Sequence, residues 1–134
     1  MEQFQEGDRT RSTETEYVNM FIKDGIFQCY FKAMEVMDIA VAVRTVEDRL
    51  NFFDNEAYPA LFDITEVRQT TKEARDFMAD KGNDLVLASA MIVTNPMLKM
   101  MANFYIMVNR PKNPTKLFTD RESGLEWLKQ FKIV

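Results

Sequence analysis

The sequence predicts an α/β domain with a mixed, mainly parallel sheet of about five strands, a β-hairpin at its start and four main helices. Three observations predict this class. Asp24-Gly25 separates two strand-like runs, and this dipeptide is typical of a tight hairpin because both turn positions need positive φ. Beyond the hairpin, extended and helical patterns alternate strictly, as in sheets built by right-handed crossovers. The chain of 134 residues is long enough for one domain with a proper core.

The predicted hairpin consists of strands at residues 17–23 and 26–31. Apolar and polar residues alternate along the first strand, which is typical of a strand with one buried face. Cys29 lies on the same face as Phe27 and Phe31 and is therefore predicted to be a core thiol. A reactive thiol would need a cationic neighbour or a helix N-terminus to lower its pKa, and the local sequence has neither.

A single domain is predicted over residues 16–134. Residues 1–15 are polar, charged and rich in threonine, so they are predicted to form a flexible lead that stays mobile or adds to a sheet edge. This lead lacks the apolar core of a signal peptide, and no run approaches the roughly 18 apolar residues of a membrane span. Together with a single cysteine, these features predict a cytoplasmic protein.

The middle of the chain predicts a helix, a strand and a second helix. Asp38 is a suitable N-cap for a helix that runs to about residue 54. A strand is predicted over residues 58–64. Thr70 or Thr71 then caps the next helix, which ends near Gly82 because glycine is the usual residue just past a helix. The predicted core stripe of the first helix is formed by Ile39, Val43, Val46, Leu50 and Phe53.

The last third of the chain continues the alternation of strand and helix. A short strand at residues 90–93 leads to Asn95-Pro96, a strong N-cap followed by a proline that costs the helix no hydrogen bond. This helix is predicted to end near residue 109, before Arg110-Pro111. A strand at residues 115–118 precedes the final helix, for which Thr119 and Glu122 have the spacing of a capping box.

Composition excludes several classes of function. The chain contains no histidine and one cysteine, so a zinc site and a Ser-His or Cys-His nucleophile pair are excluded. Its four glycines are too widely spread for a phosphate-binding loop or a dinucleotide fingerprint. A net charge of −4 argues against nucleic acid as a partner. Four carboxylates near the third strand lack the spacing of a metal or catalytic motif and are predicted to be solvated: Asp54, Glu56, Asp63 and Glu66. The sequence thus predicts no enzyme activity, cofactor or metal site.

Three stretches carry a resemblance to known families: residues 90–96 (AMIVTNP), 114–120 (PTKLFTD) and 124–128 (GLEWL). With these residues, the order of elements resembles the STAS-like domains, the sulphate-transporter and anti-sigma-antagonist group. It also resembles the related SEC14-like (CRAL-TRIO) lipid carriers, and it looks most like small uncharacterised bacterial proteins between the two. The resemblance spans about residues 17–131 and implies the anti-sigma-antagonist fold.

This resemblance also implies a possible phosphorylation site. In the anti-sigma antagonists, a strand ending in Asp-Leu-Ser leads to an Asp-Ser-Ser-Gly motif, where a kinase partner phosphorylates a serine. The matching strand here ends FDIT at residues 62–65, and the next helix starts TTKE at residues 70–73, without the serine pair or the glycine. A phosphate on Thr70 or Thr71 would suit a helix N-terminus. Both threonines are also fully explained as caps, which is the favoured interpretation.

The helix at residues 96–109 has a wider apolar arc than a helix on one face of a sheet needs. Its predicted core stripe is formed by Met97, Met100, Met101, Phe104, Tyr105 and Val108. The predicted partner or ligand surface consists of Leu98, Ala102, Tyr105, Ile106 and Met107. A deeply buried helix, a dimer interface and a groove for an apolar ligand are the alternatives, and flexible methionine side chains suit such a groove.

We therefore expect a non-catalytic regulatory or protein-interaction domain of the STAS-like type that forms a homodimer. The alternative is a SEC14-like binding module for a small apolar ligand or lipid. If the strands follow one another in one direction, right-handed crossovers would put all the helices on one side of the sheet. The other face would then be covered by a regulatory protein partner, a second copy or a ligand.

Overall fold

The computed structural model describes residues 10–133. Three single-turn segments extend α-helices: Lys81–Asn83 and Lys129–Phe131 are 3-10 turns, and Tyr105–Asn109 is a π-helical turn. The strands and α-helices follow in the order β1 (Arg11–Glu14), β2 (Val18–Lys23), β3 (Ile26–Phe31), β4 (Met34–Met37), α1 (Ile39–Phe53), β5 (Tyr58–Asp63), β6 (Val67–Thr70), α2 (Lys72–Asp80), β7 (Val86–Ile92), α3 (Pro96–Phe104), β8 (Thr115–Phe118) and α4 (Arg121–Leu128).

The main sheet has six strands in the order β1-β2-β3-β5-β7-β8. Strand β2 is antiparallel to both of its neighbours, and the pairs from β3 to β8 are parallel. The predicted mixed, mainly parallel sheet is therefore confirmed. Across its parallel half, one row pairs Cys29 with Phe62, Phe62 with Met91 and Met91 with Leu117.

The predicted hairpin is present, with Asp24 at φ 53° and Gly25 at φ 80° between β2 and β3. Both turn residues are left-handed, as a tight hairpin requires. Residues 11–14 of the predicted lead form the edge strand β1 against β2. Residues 1–9 of the lead lie outside the described residues.

A second, two-stranded sheet joins β4 and β6 in parallel, pairing Met34 with Val67 and Met37 with Thr70. The sequence did not predict it, because each strand has only four residues and therefore carries too little alternation to detect. Since β4 leads into α1 and β6 into α2, this pairing sets the starts of the two helices side by side. The backbone N–H of Thr71 donates to the Met37 carbonyl at 3.1 Å across the same junction.

The expectation that all helices lie on one side of the sheet is wrong for α4. Helices α1 and α2 pack over the face that carries Phe27 and Ala60, in one hydrophobic cluster. Leu128 of α4 packs on the opposite face with Leu61 and Ala90. The crossover rule applies to helices that connect parallel strands, and α4 follows the last strand. It is therefore free to fold back under the sheet and cover its second face.

Side-chain caps begin each of the helices α1 to α4. Asp38, Thr71 and Asn95 cap α1, α2 and α3, as the sequence predicted. The predicted capping box of Thr119 with Glu122 is wrong by one residue, because Asp120 accepts the backbone N–H of Ser123 at 2.8 Å. A carboxylate is a charged acceptor at the positive end of the helix dipole and stabilises the start of the helix better than a hydroxyl.

Candidate functional site

A cavity of about 110 Å³ lies between the main sheet and the helices α2 and α3. Its lining includes Phe62 and Met91 of the central strands and Met37 and Val67 of the small sheet. The lining is predominantly apolar. An engineered apolar cavity of roughly 150 Å³ holds benzene, so this cavity has room for about one ring or a short alkyl chain.

Helix α3 closes the cavity with Leu98, Met101 and Ala102, and Tyr105 follows in the π-helical turn. Three of the five predicted surface residues, Leu98, Ala102 and Tyr105, are thus brought together here. Ile106 is half-buried, and Met107 is exposed outside the cavity lining.

The predicted core stripe of this helix is largely wrong. Four of its six members are exposed: Met97, Met100, Phe104 and Val108. Apolar residues occupy most of the helix, so its periodicity is compatible with more than one rotation about the axis. Ala102 is the fully buried residue of α3. The face that α3 turns inward carries Ala102 together with Leu98 and Met101, which line the cavity.

The π-helical turn Tyr105–Asn109 borders the cavity and extends α3. Such turns are frequent at functional sites. Asn109 fixes the turn to α2 by donating its side-chain N–H to Asp76 Oδ1 at 2.6 Å. Burial raises the pKa of the Tyr105 phenol, which therefore stays neutral at physiological pH.

The lining also contains polar side chains, among them Asn83, Ser89 and Thr115. Asn83 is 4 % exposed, and its Nδ2 donates to the carbonyls of Met78 and Ala79, each at 3.0 Å. Its Oδ1 is buried and has no hydrogen-bond partner among residues 10–133. The sequence marked Asn83 solely as part of a helix stop, because nothing local reveals a buried oxygen without a donor.

Two side chains hold the backbone around Asn83. Arg49 donates to the carbonyls of Gly82 at 3.0 Å and Asp84 at 2.8 Å, on either side of it. Asn113 Nδ2 donates to the carbonyl of Asn83 itself at 2.9 Å. The loop that contributes Asn83 to the cavity is therefore held by contacts from α1 and from the segment before β8.

The two predicted phosphorylation candidates have different surroundings. Thr70 lines the cavity, and Arg75 Nη1 donates to its carbonyl at 2.7 Å and to its Oγ1 at 3.0 Å. Thr71 caps α2, and its Oγ1 accepts the backbone N–H of Ala74 at 3.2 Å. Both hydroxyl oxygens thus accept a hydrogen bond. Phosphorylation of either residue stays a prediction.

The cavity has little ionisable chemistry. Arg75 and Tyr105 are the titratable side chains in the lining that the structure describes. Within residues 10–133, no group of three or more carboxylates and thiols is arranged to hold a metal ion. Asp63, one of the carboxylates near the third strand, accepts the backbone N–H of Thr65 at 3.0 Å. Burial raises the pKa of the Cys29 thiol, as expected for a core residue.

The comparisons with known proteins bear on the family and on the fold. A family model described as a domain of unknown function (DUF7793) matches residues 20–132. The chain belongs to the DUF7793 family. The matched region of this DUF7793 domain includes every residue of the cavity lining. No curated protein matches the chain.

The solved structures that match this DUF7793 domain include two proteins without an assigned function. One is an uncharacterized protein of the DUF3478 family with a SpoIIAA-like fold from Shewanella loihica PV-4. It has a TM-score of 0.55 and 14 % identity, and the match covers 96 % of this chain and 98 % of that one. The other, a protein of unknown function from Arthrobacter sp. FB24, is 22 % identical over 80 % of this chain and 88 % of that one, with a TM-score of 0.29.

The first likeness shows the fold alone, and the second is too weak to carry an argument. The DUF7793 domain therefore has a SpoIIAA-like fold, which confirms the STAS-like part of the resemblance. The SEC14-like part is not supported. Among the described residues, no helix has both the length and the apolar character to cross a membrane.

Proposed function

We propose that this DUF7793 protein is a non-catalytic, STAS-like binding module that holds a small apolar ligand beneath helix α3. The cavity closed by Leu98, Ala102 and Tyr105 carries this proposal. Protein interiors pack nearly as densely as organic crystals and leave few voids larger than a water molecule. A mostly apolar cavity with room for a ring is therefore suited to an apolar occupant, and its methionine lining adapts to shape.

The absence of catalysis is part of the same proposal. The sequence contains no histidine, the commonest general base. The ionisable residues of the described lining are Arg75, which is engaged with Thr70, and a neutral Tyr105. Neither forms a nucleophile–base pair there. We therefore assign a regulatory role, in which occupancy of the cavity is the signal.

Binding is tested with benzene, toluene and cyclohexane, by thermal unfolding and by NMR of the labelled protein. A bound probe stabilises the folded state by about 2.7 kcal/mol when its concentration is 100 times Kd. We expect a higher Tm and shifted resonances from Met91, Leu98 and Met101, which line the cavity.

The matched variants are Ala102→Leu, which fills the cavity from α3, and Met100→Ala, which changes the outer side of the same helix. Ala102→Leu should lose binding and Met100→Ala should keep it. Native mass spectrometry of the freshly purified protein looks for a retained ligand. Binding of no probe, or equal binding by Ala102→Leu, contradicts the proposal.

A second candidate function is homodimerisation through the outer face of α3 and the π-helical turn. Five exposed apolar side chains form this surface: Met97, Met100, Phe104, Met107 and Val108. A two-fold interface brings a patch against its own copy. The charged residues beside Phe104 and Val108 are of both signs, so opposite charges can face each other across such an interface: Lys72, Arg75, Asp76, Asp80, Arg110 and Lys112. A second copy of the chain is therefore the proposed occupant.

Light scattering at micromolar concentration tests this candidate and should give the mass of a dimer. Met100 and Met107 are 71 % and 75 % exposed, so replacing both with lysine should yield a folded monomer. Glu122→Lys on α4 adds charge on another part of the surface and should leave the dimer intact. A monomeric wild-type protein would rule the candidate out.

A regulatory protein partner and a cytoplasmic location stay predictions.

A further inference from the structure

Arg75 lies in the wall between two spaces, the cavity beneath α3 and a cleft of about 660 Å³ between α2 and the π-helical turn. Its side chain contributes to the lining of both. Its Nη1 lies 3.0 Å from Oγ1 of Thr70, which also lines the cavity. The guanidinium itself, and not just its aliphatic stem, is therefore placed at the edge of the cavity.

One edge of this guanidinium is unused. Nη1 makes both hydrogen bonds to Thr70, whereas Nε and Nη2 have no partner among residues 10–133. These two nitrogens are accessible, because the buried side-chain nitrogen or oxygen that lacks a partner in this part of the chain is Asn83 Oδ1. Nε and Nη2 together form an edge that can bind the two oxygens of a carboxylate. The hydrogen bonds from Nη1 hold that edge in place, so a ligand meets a donor pair that is already oriented.

The charges around the cleft leave this arginine without an ion pair. The lining contains four cationic and two acidic side chains: Lys72, Arg75, Arg110 and Lys112, and Asp76 and Asp80. Lys72 lies 2.8 Å from Asp76, and Lys112 lies 3.4 Å from Asp80. The lysines thus neutralise the aspartates, and within residues 10–133 neither arginine forms an ion pair. An excess of two positive charges remains at the cleft, in a chain of net charge −4.

A ligand that reaches from the cavity to Arg75 needs two ends of different chemistry. The cavity is mostly apolar and has room for about one ring or a short alkyl chain. A charge inside it would lose its hydration, which is expensive without a buried partner. A carboxylate on Nε and Nη2 instead stays beside an accessible cation and keeps part of its water. Bidentate, charge-assisted hydrogen bonds of this kind are about twice as strong as neutral ones.

We propose that the site takes a small amphipathic carboxylic acid in its anionic form. Its ring or short alkyl chain lies in the cavity beneath α3, and its carboxylate accepts hydrogen bonds from Nε and Nη2 of Arg75. The excess positive charge of the cleft attracts the anion, and the apolar space selects the chain. This inference rests on the proposed function and names the head group of its ligand.

Hexanoate, 1-hexanol and hexyl phosphate are the probes, since they share one alkyl chain and differ in the head group. The affinities of hexanoate and hexanol for wild type and for Arg75→Met form a cycle in which the hydration of each probe cancels. The ratio of hexanoate affinity to hexanol affinity should fall roughly tenfold in Arg75→Met, because hydrogen bonds to a charged group are lost. The matched control Arg68→Met removes an exposed arginine of β6 that lines neither space. There the ratio should stay within about twofold of wild type.

Arg75→Met also removes the hydrogen bonds to Thr70, so a measurement on the wild-type protein stands beside it. In NMR spectra, hexanoate should shift the Nε–H resonance of Arg75 together with the methyl resonances of Met91 and Met101, which line the cavity. Hexanol should shift the methyl resonances and leave the Nε–H resonance nearly unchanged. If the two probes have the same effect on Arg75, or if the affinity ratio is unchanged in Arg75→Met, the carboxylate class is overturned and the proposed function stands.

The remaining outcomes also decide between the alternatives. Tighter binding of hexyl phosphate would overturn the carboxylate in favour of a phosphate ester. If hexanoate shifts Arg75 and leaves the methionine methyl groups unchanged, it is held in the cleft alone, which overturns the placement of its chain beneath α3. If hexanoate and hexanol fail to bind while toluene binds, this inference alone falls. If toluene fails as well, the proposed function falls with it.

Discussion

Arg49 is a buried cation that holds the loop around Asn83 in place. It is 3 % exposed, and its guanidinium carbon lies 4.9 Å from the centre of the Phe53 ring. Burial lowers the pKa of this guanidinium to about 10, and it remains charged at neutral pH. Its two hydrogen bonds to the loop around Asn83 use the fork of donors that lysine lacks.

Replacing Arg49 with methionine should lower the free energy of unfolding by about 2–4 kcal/mol, because it leaves the carbonyls of Gly82 and Asp84 without their donors. The free energy of unfolding of Arg49→Lys should lie between those of the wild-type protein and Arg49→Met. Urea denaturation measures the effect. The matched control is Arg44→Met on the exposed side of the same helix, which loses a surface contact with Asp48 and should change stability by at most about 1 kcal/mol. Equal losses for the two methionine variants would contradict a clamping role for Arg49.

Asp120 makes the start of α4 sensitive to acid. The backbone N–H of Ser123 holds the pKa of the Asp120 carboxyl below its ordinary value. A lowered pKa in the folded state means that the carboxylate stabilises the fold above the ordinary value of 3.8 and loses this effect as pH falls through the lowered pKa.

Asp120→Asn keeps an acceptor at the cap and removes the titration. Its stability should therefore fall less than that of wild type between pH 5 and pH 2, as measured by thermal unfolding across a pH series. The other carboxyl groups are present in both proteins, so their contributions to the pH dependence of stability cancel in the difference. If the stabilities of wild type and Asp120→Asn fall in parallel as the pH is lowered, the proposed contribution of the Asp120 carboxylate is contradicted.

Helix α4 contacts the sheet closely at Gly124. A Cβ at this position would lie 3.0 Å from Ile92 Cδ1 and 3.4 Å from both Ala90 Cβ and Leu61 Cδ1. Glycine within a helix costs about 1 kcal/mol relative to alanine, so this glycine is explained by the close approach to β7.

Gly124→Val should lower the free energy of unfolding by about 1–3 kcal/mol, because the added methyl groups would overpack the contact with Ile92. The control Glu122→Val adds the same side chain at an exposed position of the same helix. Urea denaturation of both variants checks the difference. A Gly124→Val protein as stable as the control would contradict tight packing of α4 on β7.

At the scale of elements, local sequence rules predicted where helices begin and failed to predict how they are rotated. Asp38, Thr71 and Asn95 are caps because a side-chain oxygen close in sequence satisfies the first free N–H groups. The apolar stripes were less accurate. In α1, Val46 and Phe53 are buried as predicted, whereas Ile39 is exposed. Rotation depends on side chains across the contact, which periodicity does not include.

At the scale of the whole fold, the described residues 10–133 form two hydrophobic clusters that share one six-stranded sheet. A polar contact also ties α4 to β3, since Arg121 Nε donates to the Tyr30 hydroxyl at 2.9 Å and to Gln28 Oε1 at 3.1 Å. Separating either layer would expose one face of the same strands. The two sides of the sheet are therefore expected to unfold together.

A single tryptophan makes this cooperativity measurable. Trp127 lies on α4, with its ring 5.7 Å from the Phe118 ring and 4.9 Å from the Phe131 ring. Its fluorescence reports on the α4 side of the sheet, whereas far-UV circular dichroism reports on all helices. The two urea transitions should coincide, as for a two-state domain. A tryptophan transition at clearly lower urea would show that α4 detaches first.

The hairpin, the alternation of strands and helices, and the absence of histidine chemistry could be predicted from the sequence alone. Each depends on neighbouring residues or on composition. The Asp24-Gly25 turn is a local preference for positive φ. Histidine is absent from the sequence, so no arrangement of the chain can supply its chemistry.

Contacts between distant segments decided the rest. The pairing of β4 with β6, the side taken by α4 and the rotation of α3 each depend on which surfaces meet. The lack of a partner for Asn83 Oδ1 among residues 10–133 could not be predicted either, because it depends on every group that folding brings near this oxygen. Long-range packing is a property of the assembled core, and no window of local sequence contains it.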